Sequence, residues 1–489
     1  MFIACIFASP IIFTLSNYGV TWDEPIYMET GRRMVFWLNN PQWNIKNDIW
    51  EAKDTQLHPP LSILISGLTN EILCNKLKLV DTLRAHRLGT IVFFIPMLTF
   101  IIYFLKKRYG WTVAIITSLL CATIPSMFFL AHVESIDMPI CALWIMTIIS
   151  IIEAKSNKRW LIITGILLGL SLLTKIHGVL LFPLLLLYTY TQKKYFHKKE
   201  IIISLFILPL IIFYIGWPYL WDNPIGNFMA SLKLLNSHGT IPTWYMGQSQ
   251  YTPWHYPFVM IGITTPSIII ITFIIGIVAI IKRKKRDEWF LLLNALYLPT
   301  LFTLPIFPKY DSIRLFLACI PFIIIVAGIG TKYCIDTIKN LVIKKITIFT
   351  IIGLTLYTIA TQTMMTHPYQ SSYYNELVGG IDGATSLGFE TDYWGSAYKD
   401  ILPWMNDHKK DPMCVFPMTS PFYVYKAWGQ LENDVIIDAD ANTCIYAVVL
   451  MRQGMFDKNP FIKNAVMTLL PIYSIKLSST PIINIYKLK

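Results

Sequence analysis

The residues best suited to chemistry stand between long apolar runs. In "YGVTWDEPIYMETGRR", Asp23 and Glu24 sit side by side just after the first apolar run, with Tyr27 three residues beyond Glu24. "LHPPL" adds His58, "HVESIDMP" adds Glu134 and Asp137, "TKIHG" adds Lys175 and His177, and "FPKYDSIR" adds Lys309, Asp311 and Arg314. A carboxylate can take a proton from an attacking hydroxyl, and cations can meet negative charge that develops in a reaction. Plainer roles stay open for each residue. Asp23 can cap a helix that has Pro25 in its first turn, and Asp137 can do the same ahead of Pro139. His58 can be a turn residue before Pro-Pro, and Lys309 and Arg314 can be interfacial anchors.

The elements that must position these residues are membrane spans. Of 489 residues, 54% are hydrophobic and 14% charged, with a mean hydropathy of +0.51. Soluble domains carry about 25% charge, and apolar runs of about 17–25 residues recur along the chain. The net charge of +12 does not point to nucleic acid, because the Lys and Arg cluster in short loops such as "LKKRYG", "AKSNKR", "QKKYFHKK" and "KRKKRDE". These loops alternate with non-basic ones, the pattern of loops retained in the cytoplasm. That reading predicts about eleven spans: 2–16, 86–105, 111–131, 138–153, 160–174, 178–192, 200–216, 257–281, 289–306, 314–331 and 346–364. It places the N-terminus inside and everything after Met365 outside. Span 2–16 reaches roughly 22 Å of a core about 30 Å thick, so either the start is cropped or this helix is short. The outer loop 17–85 holds an amphipathic stretch, 25–38, expected to lie on the membrane surface with Ile26, Met34, Val35 and Leu38 near one another. "PPLSILISGLTNEIL" is expected to be interfacial or re-entrant. All the acids and bases above then share the outer face, which suits a charged substrate that stays lipid-bound.

The texture changes after residue 364. Polar residues, Gly and Pro increase, and β-rich runs appear: "MCVFPM", "DVIIDA", "CIYAVVLM", "SIKLSS" and "IINIYKL". A helix-like "GSAYKDILPWMNDH" precedes them. The expected organisation is a transmembrane catalytic domain, 1–364, followed by a small extracytoplasmic α/β domain, 365–489. Cys414 and Cys444 both fall in the outer segment, where a disulfide can form. The loop "GWPYLWDNP…TWYMGQSQYTPWHYP" is either an interfacial aromatic belt or a wall for a substrate. Carboxylates and His could accept a divalent metal, but no ligand spacing marks a site, so no metal or other cofactor is assigned.

In order, "DExxY", "HPPL" and the "SxDxP" acid resemble the dolichyl-phosphate-mannose protein mannosyltransferase-like group, the family-39-like bacterial members with the GT-C fold that aminoarabinose transferases of lipid A share. "GILLGLSLLTKIHG", "WYMGQSQYTPWHYP" and "YYNELVGG…FETDYWG" resemble further segments of that group. The resemblance implies a polytopic α-helical GT-C membrane protein that moves a sugar from a polyprenyl-phosphate donor to an extracytoplasmic acceptor (protein, glycolipid or surface polymer). It implies Asp23 as catalytic base with Asp137 as its partner, and Glu24, Tyr27 and Glu134 as support. His58, Lys175, Lys309 and Arg314 are expected to bind the donor phosphate. Aminoarabinose transferases carry Lys before the paired prolines; His58 here favours the mannosyltransferase-like branch. A single displacement inverts the anomeric centre, so inversion is expected. No Gly-rich run resembles a P-loop. The expected setting is the plasma (inner) membrane, multi-pass, with the active site and C-terminus extracytoplasmic. The alternative, a transporter or flippase of lipid-linked sugars, fits less well, because such proteins place ionisable groups near the bilayer midplane and carry internal repeats.

Overall fold

The computed structural model describes residues 1–40, 56, 58–237, 241–437 and 442–489. Most of the loop 41–57 and the end of the "DVIIDA" run lie outside the described residues. Among the described residues, four helices are long and apolar enough to cross a membrane unaided: Thr82–Tyr109, Lys198–Gly216, Arg314–Thr337 and Leu341–Met364. Shorter apolar helices, Phe2–Asn17, Arg159–Thr174 and Ile176–Thr191, pack beside them. The Asp137–Glu153 helix is buried along its whole length. Polar loop residues punctuate these runs where the apolar pattern stops, which is why the expected spans and the observed helices largely coincide.

Two expected spans are corrected. Residues 111–131 are not one straight helix: Trp111–Thr123 and Pro125–His132 meet at 60°. Pro125 cannot donate a backbone hydrogen bond, and Ile124 before it is extended. Residues 257–281 are likewise two helices, Tyr256–Thr264 and Ser267–Arg283, bent by 117°. Thr265 and Pro266 are both extended there, so the long apolar helix starts only at Ser267.

The amphipathic stretch forms the Glu24–Asn39 helix, but its apolar residues do not share one setting: Met34 and Val35 are buried while Ile26 and Leu38 are exposed. The buried stripe is instead Tyr27, Met28, Thr30, Gly31, Met34 and Val35, residues that recur at helical spacing. Gly31 fixes this facing, because it meets Gly67 of the neighbouring Leu61–Thr69 helix backbone to backbone. A Cβ on either glycine would lie 2.5–2.8 Å from the other helix, so only glycine allows the contact. Part of the aromatic loop joins this core: Trp217 and Tyr219 are buried with Tyr27, Trp37 and Ile63, while Tyr251 and Trp254 stay exposed.

The segment after Met364 carries a four-stranded sheet in the order β3-β4-β6-β5, a separate hairpin β1 (Thr243–Tyr245) and β2 (Gln248–Gln250) having come earlier. Strand β3 (Met413–Phe416) runs parallel to β4 (Tyr446–Leu450), and β6 (Thr480–Lys487) is antiparallel to both β4 and β5 (Tyr473–Leu477). A disulfide joins Cys414 to Cys444. The expected helix in "GSAYKDILPWMNDH" is a 3₁₀ turn, Ser396–Ile401, running into a helix, Leu402–Asp407. The sheet region and the bundle share one hydrophobic core, which includes Phe129 and Met138 as well as Trp394, Tyr398 and Ile483.

One buried ion pair fixes the first loop to the bundle. Arg87, in the second turn of the Thr82–Tyr109 helix, grips Glu24 through two bonds of 2.7 and 2.8 Å. It also donates to the carbonyls of Leu15, Tyr18 and Gly19. Both side chains are fully buried. Glu24→Gln would leave that guanidinium uncompensated, and removing one partner of a buried pair costs about 3–5 kcal/mol. The expected outcome is a marked drop in the denaturation temperature of the detergent-solubilised protein, measured without any activity assay.

Candidate active site

Asp23 occupies the residue before the Glu24–Asn39 helix, but its carboxylate makes no capping bond. Its Oδ2 instead accepts from Arg314 Nη1 at 2.9 Å and from Trp394 Nε1 at 3.1 Å. Asp137 is the first residue of its helix, whose cap position falls to Ile136; its Oδ1 accepts from Lys175 at 2.6 Å. Arg314 links the two acids, with Nε 3.7 Å from Asp137 Oδ2. Its remaining arm lies 3.1 Å from Asp311, which Arg452 holds from the other side at 2.6 Å. Asp23, Asp137 and Asp311 therefore share one ionic net with Arg314, Lys175 and Arg452.

Local folding dictates the shape of this net. Asp311 and Ser312 both have positive φ, 55° and 58°, a left-handed conformation rare for residues other than glycine. It persists because the surroundings hold it: two arginines grip Asp311, and the Ser312 amide donates to the Tyr256 hydroxyl at 3.0 Å. Such conformations cluster at functional sites. The turn brings Asp311 and Arg314 back to back, so one guanidinium can reach three carboxylates. Trp394 packs beneath it, with the ring centroid 4.8 Å from the Arg314 guanidinium carbon, and Arg452 lies 4.4 Å from the Trp22 ring centroid.

Two details concern reactivity. The Asp23 side chain is 30% exposed, and among the described residues its Oδ1 has no hydrogen-bond partner. Burial of the rest of the group raises its pKa above the ordinary carboxylate range; Arg314 opposes the shift and Asp311 adds to it. Arg314 Nε is buried with no hydrogen-bond partner, a donor that an incoming anion could satisfy.

The other expected residues separate into groups. Tyr27 lies one turn beyond Asp23 with its ring edge-on to His58 at 6.2 Å, on the flank of the net. Glu24 belongs to the Arg87 staple and also accepts from the Glu134 amide at 2.9 Å. Glu134 itself lies 3.2 Å from His86 with both side chains buried, behind the net. Lys309, expected at the donor phosphate, faces its own loop. Its ammonium donates to the carbonyls of Leu304 and Phe307 at 3.1 and 3.2 Å, because the loop it closes has carbonyls without helical partners. Among the described residues, no group of three or more His, Cys, Asp and Glu is placed to hold a metal ion.

Sequence reasoning missed Trp394, Arg452 and Arg87. Trp394 stands in "FETDYWG", a segment with a visible resemblance, but the indole is itself neither acid nor base and so suggested no role. Arg452 ends the apolar β4 run, and Arg87 starts a span; a cation beside a long apolar run was the available signal for each.

Glu390, in the same C-terminal stretch, offers a test of this packing. Burial raises its carboxyl to about 7, with Arg452 opposing the shift. A raised carboxyl pKa means the folded state holds the proton more tightly than the unfolded chain, whose value is about 4.3. The associated stability is therefore complete below about pH 4.3 and is lost as pH rises from there through about 7, up to about 4 kcal/mol. Thermal melts should show wild type losing stability between pH 5 and 8, and Glu390→Gln should flatten that dependence.

Residues 58–217 match the family model described as dolichyl-phosphate-mannose-protein mannosyltransferase. No curated protein matches in sequence. ArnT from Cupriavidus metallidurans, solved with undecaprenyl phosphate, is similar in fold with a TM-score of 0.56 and 14% identity over 99% of this chain and 97% of that one. Its apo form gives 0.54 and 13% over 99% and 96%. The Archaeoglobus fulgidus oligosaccharyltransferase tethered to an acceptor peptide gives 0.50 and 10%, over 99% of this chain and 74% of that one. The family match and the fold likeness together support the resemblance carried by the motifs: this is a membrane protein of the GT-C fold, similar to the family-39-like glycosyltransferases.

Proposed function

We propose that this chain transfers a sugar from a polyprenyl-phosphate donor to an extracytoplasmic hydroxyl, on protein, glycolipid or surface polymer, with inversion. The observation that carries the proposal is the arrangement of Asp23. Arg314 and Trp394 both occupy its Oδ2, which leaves Oδ1, on the exposed side, to accept the acceptor's proton. The acceptor oxygen attacks the anomeric carbon, the bond from that carbon to the phosphate oxygen breaks, and the electron pair leaves with the phosphate. Arg314 and Lys175 meet the new charge. Asp137 holds those two cations together, and His58 beside Tyr27 lines the donor side.

The matched family and the similar structures support this reading: the family is one of mannosyltransferases, and the C. metallidurans structure holds undecaprenyl phosphate. The division into a catalytic membrane part, 1–364, and an extracytoplasmic part, 365–489, belongs to the same proposal. So does a multi-pass plasma (inner) membrane location with the N-terminus cytoplasmic. The basic loops support it, because they meet at the end of the bundle remote from Asp137, where Lys155 pairs with Asp287 and Arg108 with Glu153.

The test is turnover of a synthetic polyprenyl-phosphate sugar by the purified protein. Asp23→Asn should reduce kcat about 10²–10⁴-fold, the usual contribution of a general base, with the melting temperature unchanged. The raised Asp23 pKa places the acid limb of the pH profile above about 3.9, with activity lost as pH falls through it. Full turnover in the variant, retention of anomeric configuration, or translocation of the donor without cleavage would each contradict the proposal.

A further inference from the structure

The end of the bundle opposite the acid net holds a built cavity. The helix that begins at Asp137 ends at Glu153, about 24 Å away at 1.5 Å per residue. Beside that end lies a cavity of about 570 Å³, within the range of ligand sites. Its cations come from four separate connections: Arg108, Lys155, Lys194, Lys285 and Arg286. Of the carboxylates on its wall, Asp287 is engaged, and Glu288 is engaged through Oε1 while its buried Oε2 has no hydrogen-bond partner among the described residues. Asp287 accepts from Lys155 at 2.5 Å and from the Tyr188 hydroxyl at 2.9 Å. Glu288 is buried and accepts from the Tyr109 hydroxyl at 3.1 Å.

Two cations are left without an acid among the described residues, and a third has only a long ion pair. Lys194 lies over the Tyr195 ring at 4.7 Å, and Arg286 donates to the Thr191 carbonyl at 3.0 Å. Among the described residues, neither has a carboxylate within ion-pair distance. Lys285 comes no closer than 3.9 Å to Glu288. Positive loop charge alone would explain scattered lysines. It does not explain five cations converging on one concave site, walled by Tyr109, Gln192 and Tyr195. Basic pockets between helices at this membrane level suit lipid head groups.

We propose that this cavity binds a phosphate group at the membrane surface, from an anionic phospholipid head group or from free phosphate. The inference is independent of the sugar-transfer reading. Native mass spectrometry of the purified full-length protein, mixed with phosphatidylglycerol or phosphatidylcholine micelles, reads the lipid arm; thermal stabilisation by inorganic phosphate reads the other. Lys194→Ala with Lys285→Ala should reduce phosphatidylglycerol retention, or phosphate stabilisation, roughly ten- to thirty-fold in apparent affinity. Lys339→Ala with Lys345→Ala, which removes the same charge outside the cavity, should leave both unchanged. Loss in the lipid arm identifies the head group as the source, and loss confined to the phosphate arm identifies the free anion. Equal loss in the two double variants, or no loss in either, overturns the site.

Discussion

The site depends on one guanidinium. Arg314 is reached by Asp23 from the first loop, by Asp137 from the start of a buried helix and by Asp311 from its own turn. Three carboxylates so close would repel one another without a cation between them. A planar fork with several fixed donors can engage them together, whereas the point charge of a lysine could not. Every segment that carries an acid must therefore end where Arg314 can reach it, and the surrounding contacts can be read as the means to that end.

Those contacts come from both ends of the chain. Arg87 ties Glu24 and the carbonyls of the first loop to the bundle, which sets the position of the neighbouring Asp23. From the C-terminal region, Trp394 bonds Asp23 and packs under Arg314, while Arg452 secures Asp311. The shared hydrophobic core makes these placements rigid. Two adjacent acids thus have different surroundings: Glu24 is buried in a neutralising grip, and Asp23 keeps one oxygen toward the open side.

Much of this was legible in the sequence, and the failures have physical causes. Long apolar runs and basic loops marked most helices, because a membrane span must be continuous and apolar. The bends at Pro125 and Pro266 escaped, since hydropathy averaged over a window does not register a backbone break. "DExxY" and "SxDxP" marked Asp23 and Asp137, and the capping role that local sequence allowed both is absent from the structure. Lys309 turns to loop carbonyls, a contact that a lysine's reach permits and local spacing does not signal. Trp394 and Arg452 lie 371 and 141 residues from the acids they support, and nothing in local spacing signals such a contact.

The central claim is that Arg314 works as a fork joining the acids and not merely as a positive charge. The most direct measurement is the turnover of an Arg314→Lys variant with a polyprenyl-phosphate sugar, alongside its melting curve. The account predicts a folded protein whose kcat falls by about 10²-fold or more, as expected when a preorganised donor is removed. Wild-type turnover in that variant would contradict it.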